Sequence, residues 1–351
     1  MKTPRNLHIW LPGYFRARLR ASKLPPRHVW LMIGDHYEPL GGGADIMTAR
    51  ELVARWRRDW PEIASRHRDS DGNCPRYTYF YPQEEYRPEL LDPLAAMTRM
   101  GNSDVEIHIH HDGEGENNFL DRMEGFRETL WNRHGLLRKI DGRVVFAFIH
   151  GNWALDNSRP DGRYCGLNNE LTLLNRLGCY ADFTLPSAPS ATQTRIVNTI
   201  YWAKDDPLRP KSHDSGIVAM PGGSETGDLL MIPGPLGFTP RAGNRWLPRI
   251  DMGELAGYAM PSRERVRGWL RTAPRLGDTI FIKLFTHGAQ ERNFVPLLSG
   301  GLDRLFESVK EECAAAGLLL HYATAWEMYR AVMKNLATPP SPASAPSSPR
   351  E

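Results

Sequence analysis

The segment DVEIHIHHDGEGEN, residues 104–117, holds three of the chain's 12 histidines within four consecutive positions. In an extended strand, side chains two residues apart project to the same side, so His108 and His110 point together and Ile109 points away. Two imidazoles at a strand end, joined by a carboxylate from a neighbouring strand, form a divalent metal site with positions open for water and substrate. Histidines buried without such a task would each need a hydrogen-bond partner. The spacing therefore predicts metal chemistry.

The register of this strand decides which of its side chains take part. A slip of one residue exchanges the two faces of a strand. If the strand ends at His108, then His111 or Asp112 on the following turn takes the place of His110 as a ligand. The sequence alone leaves these alternatives open.

Polar clusters follow other predicted strands in the same way. They are GDHYEP with Asp35, His36 and Glu38, HGNW with His150, Asn152 and Trp153, the strand that carries Asp182, and KLFTHG with His287. The carboxyl ends of the strands in a (β/α) barrel share one rim, and active sites form there. We therefore expect side chains that are distant in sequence to converge on one mouth.

The elements that must position these residues alternate between short apolar runs and helical patterns. Strands are predicted at 28–34, 76–81, 104–110, 143–149, 180–184, 279–285 and 318–323. Several are continuously apolar, which is typical of parallel strands covered on both faces. Helices are predicted near 48–67, 89–100, 118–134, 168–177, 261–273 and 302–317. Repeated alternation of this kind predicts an α/β fold, either a barrel or an open doubly wound sheet.

The same patterns divide the chain into three parts. Residues 1–27 form an N-terminal extension, and residues 28–336 form the barrel-like domain. Within that domain, the interval 201–260 breaks the alternation, and its two β-like runs around Gly and Ser predict an insertion that contains a β-hairpin. Residues 337–351 are rich in Pro and Ser and are expected to be disordered.

Composition narrows the classes of partner and compartment. The chain has 351 residues, a net charge of +3 and 41% apolar residues, so a globular protein without a nucleic-acid partner is expected. No apolar run suits a secretory signal or a membrane span, which predicts a cytoplasmic location. The four cysteines form no CxxC pair, which argues against a structural zinc knot and fits a reducing compartment. The basic stretch 14–23 could contact an anionic membrane surface or be a solvated connector.

The order of these motifs resembles the polysaccharide deacetylase (NodB-homology) family of carbohydrate esterases. Asp35 follows the first strand, the histidine cluster follows the third, and LFTH, ending in His287, stands near the end. The resemblance covers about residues 28–330 outside the 201–260 interval. It implies a deformed (β/α)7 barrel that uses one divalent metal to hydrolyse N-acetyl or O-acetyl groups of glycans. The family's first motif has two adjacent aspartates, but here Gly34 precedes Asp35.

Carried over residue by residue, the resemblance implies a metal held by Asp35, His108 and His110. The register of the strand, as stated above, keeps His111 as an alternative ligand. Zinc is the expected ion, and cobalt, nickel and manganese are alternatives. His287 corresponds to the family's general acid.

The general base and the substrate contacts are less defined. Candidates for the base are Asp35, His36, His150 and Asp182, and Asp182 could also raise the pKa of His287. Candidates for substrate contacts are Asn152, Trp153 and Trp202, because indole rings can stack on sugars.

Three functions remain open from the sequence. The first is a metal-dependent hydrolase that removes an acyl group, with N-acetyl as the first expectation, from a glycan or glycolipid biosynthetic intermediate. The second is a catalytically inactive member of the same fold that binds carbohydrate or serves as a scaffold in polysaccharide biosynthesis. The third is a metal hydrolase of another amide or of a phosphoester. The missing aspartate favours the second function, whereas His287 and the histidine cluster favour the first.

Overall fold

The structure, a computed structural model, describes residues 3–224, 227–241 and 244–338 of the chain. It is a mixed α/β fold built on a mostly parallel sheet. The strands are β1 (His28–His36), β2 (Tyr77–Pro82), β3 (Ser103–Ile109), β4 (Arg138–Ile140), β5 (Arg143–His150), β6 (Cys179–Asp182), β7 (Tyr201–Ala203), β8 (Gly216–Val218), β9 (Leu229–Met231), β10 (Gly237–Arg241), β11 (Asn244–Asp251), β12 (Glu254–Leu255), β13 (Arg275–Leu276), β14 (Thr279–Thr286) and β15 (Leu319–Ala323). The helices are α1 (Leu7–Arg20), α2 (Ile46–Ser65), α3 (Pro88–Arg99), α4 (Glu116–Glu128), α5 (Glu170–Leu177), α6 (Arg263–Thr272), α7 (Glu291–Pro296), α8 (Leu302–Ala315) and α9 (Ala325–Ala337).

The core of the sheet runs in the order β14, β1, β2, β3, β5, β6, and each neighbouring pair is parallel. β15 pairs in parallel with the first half of β1, and β2 pairs with its second half. Because these strands all run in one direction, their carboxyl ends lie at one rim. Each predicted strand has a counterpart whose ends differ by at most two residues, which confirms the mostly parallel α/β prediction.

The interval 201–260 holds three antiparallel pairs, which are β7 with β8, β7 with β9, and β10 with β11. It also joins the main sheet at two places. β9 pairs in parallel with β6, and β12 pairs in parallel with β14. The segment therefore extends both ends of the parallel sheet in addition to forming hairpins. Of the predicted disordered tail, all but the first two residues lie outside the described ranges.

The N-terminal extension contains a helix, α1, which the sequence analysis does not predict. Trp10 of α1 is fully buried, and its ring lies 5.6 Å from that of Phe238 in β10. Farther along the helix, Phe15 and Leu19 are exposed. Among the described residues, no helix is both long enough and apolar enough to cross a bilayer.

The two faces of the sheet carry separate apolar clusters. Leu31 and Ile33 of β1 belong to a large cluster that includes residues of α2 to α6 and α8, and we call this side the helix face. Met32 belongs to a second cluster with Phe80 and residues of α9, and we call this side the inner face. Successive residues of a strand alternate between the two faces. The position of a side chain in its strand therefore decides which environment it enters.

Candidate metal centre and pocket

His36, Glu38 and His108 come together at the carboxyl ends of β1 and β3, and we call this group the rim site. One ligand atom from each lies within 4.8 Å of the other two. His36 follows Met32 at even spacing on the inner face, and His108 lies opposite Ile107 and Ile109 of the helix face. Both imidazoles are buried, and Glu38 reaches back from the turn after β1 to place Oε1 3.3 Å from Nε2 of His108.

Hydrogen bonding determines which nitrogen of His108 is free. Its Nδ1 lies 2.7 Å from the carbonyl oxygen of Ile149. Because a carbonyl only accepts, Nδ1 carries a proton, and in the neutral imidazole Nε2 therefore presents a lone pair. That lone pair faces the Glu38 carboxylate, a second acceptor, and Nε2 of His36 is likewise buried with no hydrogen-bond partner among the described residues.

Acceptors that face one another in a buried site are unfavourable unless a cation lies between them. A histidine that donates one ring N–H to a backbone carbonyl and offers the other nitrogen is the usual arrangement of a metal ligand. Burial raises the pKa of Glu38, but the neighbouring imidazoles, His108 first, hold it at about 2. The rim site therefore offers two nitrogens and an ionised carboxylate, which fits a divalent ion.

Two more histidines flank the rim site. Nδ1 of His110 lies 2.5 Å from Oε1 of Glu84, and Nε2 of His110 lies 3.6 Å from Oε1 of Glu38. The ring of His287 lies 4.7 Å from that of His36. Burial opposes protonation of His110, but the hydrogen bond to Glu84 raises its pKa above the ordinary value. Burial lowers the pKa of His287, and the charge of Glu38 offsets only part of that effect.

A cavity of about 550 Å³ opens over the rim site. Its polar and aromatic lining includes His110, Asn152, Trp153, Arg159, Tyr164 and His287. The guanidinium of Arg159 lies 4.8 Å from the centre of the Tyr164 ring. Several strand-end residues that were expected to converge do lie together at this one mouth. They are His36, Glu38, His108, His110, Asn152, Trp153 and His287.

Asp35, predicted as the carboxylate ligand or base, lies outside this group. Alternation along β1 places it on the helix face, where it is fully buried. Its Oδ1 accepts a hydrogen bond of 2.6 Å from the N–H of Gly288, and its Oδ2 accepts one of 2.8 Å from the hydroxyl of Tyr77. Both oxygens are therefore occupied by structural partners, and the carboxylate near the imidazoles comes from Glu38.

His111 and His150, predicted as an alternative ligand and a base, also lie on the helix face. The ring of His111 is 5.2 Å from that of Phe119 in α4, and His150 is 6.1 Å from Phe148. Asp112, the other alternative, accepts a hydrogen bond of 2.8 Å from the N–H of Tyr164. The chain turns after Ile109, and this turn sends His110 and His111 to opposite sides.

Asp182 and Trp202 differ from their predicted roles as well. The carboxylate of Asp182 is buried and accepts hydrogen bonds from the N–H and hydroxyl of Thr184. The acidic groups that influence His287 are instead Glu38 and Glu254. Trp202 lies in antiparallel β7 and borders a separate cleft with Arg143 and Gly178, which come from the opposite end of the parallel strands.

The sequence pattern indicates Glu38 as a rim residue but not as a ligand. It gives no indication that Glu84, Arg159 and Tyr164 lie at the pocket. A signal for Glu38 was available, because it stands two residues after His36. No local signal marks Arg159 or Tyr164, which lie in the irregular loop after β5.

No protein-family model matches this chain, and no curated protein matches it. Among solved structures, the 4-α-glucanotransferase of Thermococcus litoralis is similar at 11% sequence identity and a TM-score of 0.42. The match covers 87% of this chain and 40% of the transferase. The chain thus spans well under half of the length of that protein.

Proposed function

We propose that this chain is a metal-dependent hydrolase that removes an acyl group, N-acetyl in the first instance, from a glycan or glycolipid intermediate. The observation that carries the proposal is the rim site, where the Nε2 atoms of His36 and His108, both without a hydrogen-bond partner among the described residues, lie near the carboxylate of Glu38 at the floor of a polar pocket. The ligand set differs from the one that the resemblance implies, because Glu38 and His36 replace Asp35 and His110.

A divalent ion held by these residues would supply a nucleophile at neutral pH and Lewis-acid polarisation of an acyl oxygen. Two nitrogens and one oxygen suit zinc, and cobalt, nickel and manganese also accept such ligands. The pocket side of the group stays free of protein ligands among the described residues, as a catalytic site requires. The carbonyl of Ile149 holds the ring of His108 in one orientation, which keeps Nε2 directed at Glu38.

His110 and His287 are the two imidazoles that can move protons at this pocket. Glu84 contacts Nδ1 of His110 and stabilises its protonated form, whereas His287 neighbours other imidazoles. Their pKa values are shifted in opposite directions, which is how active sites separate an acid from a base. We assign His110 as proton donor and His287 as proton acceptor, the reverse of the role that the resemblance gives His287.

The remaining lining suits a sugar. Trp153 and Tyr164 supply aromatic faces for a pyranose ring. Asn152, Arg159 and Gln290 supply hydrogen-bonding groups for hydroxyls and for the acyl oxygen. A cavity of about 550 Å³ has room for a mono- or disaccharide unit carrying an acyl group.

The finer points of fold and location are part of this proposal. We take the sheet to be the deformed (β/α)7 barrel that the resemblance implies. In support, the N–H of Gly234 donates to the carbonyl of Leu185, and a Cβ added at Gly234 would collide with the carbonyl oxygen of Lys283 in β14, so this segment lies close to both Leu185 and β14. We place the protein in the cytoplasm and assign residues 14–23 as its contact with a membrane that carries glycolipid substrate.

One observation favours the second candidate, an inactive carbohydrate-binding protein. Among the described residues that line the pocket, Glu38 is the only carboxylate, and as a ligand it is not available as a base. Under this alternative the pocket binds sugar and His287 takes no part in proton transfer.

The experiment is an acetate-release assay on N-acetylated and O-acetylated sugars, with untagged protein loaded with one divalent metal at a time. The wild type is expected to release acetate, and His108→Ala and Glu38→Gln to lose at least about 100-fold in rate while remaining folded. Asp35→Asn is the matched control for metal content, since its carboxylate lies outside the rim site, and the exposed Asp121→Asn in α4 is the control for rate. Sugar binding by the metal-loaded wild type without acetate release supports the binding protein, and equal rates in His108→Ala contradict the proposed ligands.

A further inference from the structure

A second group of ligand-type side chains lies on the helix face, behind β3 and β5. It consists of His111, His150, Cys165 and Glu170, and we call it the buried site. One ligand atom from each lies within 4.8 Å of the others. The side chains of His111, His150 and Glu170 are fully shielded from solvent, and Cys165 is 0% exposed.

Three distances within the buried site, all measured from Glu170, lie close to those of tetrahedral coordination. Glu170 Oε1 lies 3.1 Å from Nε2 of His111 and 3.4 Å from Nε2 of His150, and Glu170 Oε2 lies 3.5 Å from Sγ of Cys165. Ligand atoms bonded to one tetrahedral zinc ion at about 2.0–2.3 Å are separated by about 3.3–3.6 Å. These three spacings and the 4.8 Å limit on the remaining pairs are compatible with one ion bound by all four side chains.

The tautomer of His150 argues for a cation in that space. Its Nδ1 lies 2.5 Å from the carbonyl oxygen of Gly151, so Nδ1 carries the proton. Its Nε2 then directs a lone pair at the Glu170 carboxylate, and this atom has no hydrogen-bond partner among the described residues. Two acceptors facing each other without solvent would be costly, whereas a metal ion between them binds both.

The surroundings of Cys165 suit a metal-bound thiolate, although, without a metal, burial raises the pKa of its thiol, which then donates to Oε2 of Glu170. The backbone N–H groups of Asn157 and Leu167 point at its sulfur, at 3.3 and 3.4 Å. A neutral thiol is a weak acceptor, whereas a metal-bound thiolate accepts such bonds well. A thiolate and the Glu170 carboxylate together carry two negative charges, which a divalent ion neutralises within a site that excludes water.

We propose that His111, His150, Cys165 and Glu170 bind a structural zinc ion, separate from the rim site. Four protein ligands in a closed site are the structural form of zinc coordination, which leaves no position for substrate. Binding displaces the thiol proton of Cys165 to solvent and forms the Zn–S bond. The site uses one cysteine, so the absence of a CxxC pair, taken above as evidence against structural zinc, does not exclude it.

The buried site would hold the loop that shapes the pocket. His150 precedes this loop, and Cys165 and Glu170 follow it, so the ligands bracket Asn152, Trp153, Arg159 and Tyr164. Asn152, Trp153 and Tyr164 have φ values of 53°, 55° and 69°. Such left-handed conformations persist in residues other than glycine only when the surrounding structure enforces them. Cross-linking both ends of the loop to one ion supplies that restraint.

The test is cobalt substitution of untagged protein, read by absorption. The rim site contains no sulfur, so a thiolate-to-cobalt charge-transfer band in the near ultraviolet can come only from a cysteine ligand. We expect the band in wild type and in His108→Ala. In Cys165→Ser we expect that the band disappears and that the protein binds one equivalent of metal less than wild type. Cys313→Ser is the matched control, because Cys313 is similarly buried and lies in α8, away from both sites.

These outcomes separate the buried site from the proposed function. Absence of the band in folded, cobalt-loaded wild type, or its retention in Cys165→Ser, overturns the buried site and leaves the rim site untouched. If Cys165→Ser does not fold, anomalous scattering from crystals of the wild type decides, since zinc must lie about 2.3 Å from Sγ of Cys165. Absence of an anomalous peak near Sγ of Cys165 would mean that the four side chains form a hydrogen-bonded network without metal.

Discussion

The carboxylate of Asp35 and the N–H of Gly288 are joined by a hydrogen bond of 2.6 Å that ties the end of β1 to the residue after His287. The indole N–H of Trp56 in α2 donates to the carbonyl of the same glycine, at 3.0 Å. Asp35 therefore positions the segment that carries His287 and does so from the helix face. This connection explains how a buried acid can matter to the pocket without contacting a metal or a substrate.

Asp35→Asn is expected to keep the rim metal. An asparagine oxygen can still accept from Gly288, and its amide can donate to the hydroxyl of Tyr77 if that hydroxyl reverses its role. We expect a loss of about 1–2 kcal/mol in the free energy of unfolding and an unchanged metal content. Urea unfolding and metal analysis of the purified variant measure both. Loss of metal from folded Asp35→Asn would restore Asp35 as a ligand.

Gly288→Ala is expected to destabilise the protein and disturb the pocket. A Cβ at this position would collide with Oδ2 of Asp35 and with the ring of Trp56. Overpacking of this kind costs about 1–3 kcal/mol, and it should also reduce hydrolysis by displacing His287. Gly125→Ala in α4 is the control, because an added Cβ there meets nothing within 4 Å. The control should be neutral or more stable by up to about 1 kcal/mol.

Lys283→Met should raise stability in a pH-dependent manner. Lys283 is fully buried on β14, and its ammonium has no hydrogen-bond partner among the described residues. Burial lowers its pKa to about 7, although the charge of Asp182 opposes the shift. The unfolded chain therefore binds more protons than the folded one between pH 7 and the ordinary lysine pKa, so wild-type stability rises with pH across that window.

The variant removes this penalty. At pH 7 and below we expect Lys283→Met to be more stable than wild type by at most about 5 kcal/mol, from a shift of about 3.5 pKa units. The difference should shrink toward pH 10, as measured by chemical unfolding at several pH values. The exposed Lys310→Met serves as control. A stability difference that stays constant from pH 7 to pH 10 would show that burial does not lower the pKa of Lys283.

Trp153 and Trp202 are both predicted from the sequence to contact substrate, but we expect their substitution to have different effects. Trp153→Ala is expected to raise KM about tenfold, or about 1.4 kcal/mol, through loss of ring stacking. Trp202→Ala should instead cost about 3–5 kcal/mol of stability and leave KM unchanged, because Trp202 packs against Leu230 and its neighbours in the inner cluster. Steady-state kinetics on the best acetylated sugar and thermal unfolding distinguish the two. A raised KM in Trp202→Ala would place that residue back at the pocket.

The sequence by itself determined the strands and the rim. Runs such as HVWLMIG are apolar on both faces, and a parallel strand that is buried on both faces can therefore be recognised from its own sequence. Polar residues after those runs then identified His108, His287, Asn152 and Trp153 as rim residues, because parallel strands must end at the same edge.

Only the tertiary structure decided which face each side chain meets. Asp35 and His36 are adjacent in sequence, yet one binds Gly288 behind the sheet and the other joins His108 in front of it. No local pattern distinguishes them, because the choice depends on which of the two alternating sets in β1 packs against the helices. Cys165 and Glu170 likewise carry no sequence signal that places them beside His111 and His150, since their loop has no periodicity and meets these histidines only through the pairing of β3 with β5.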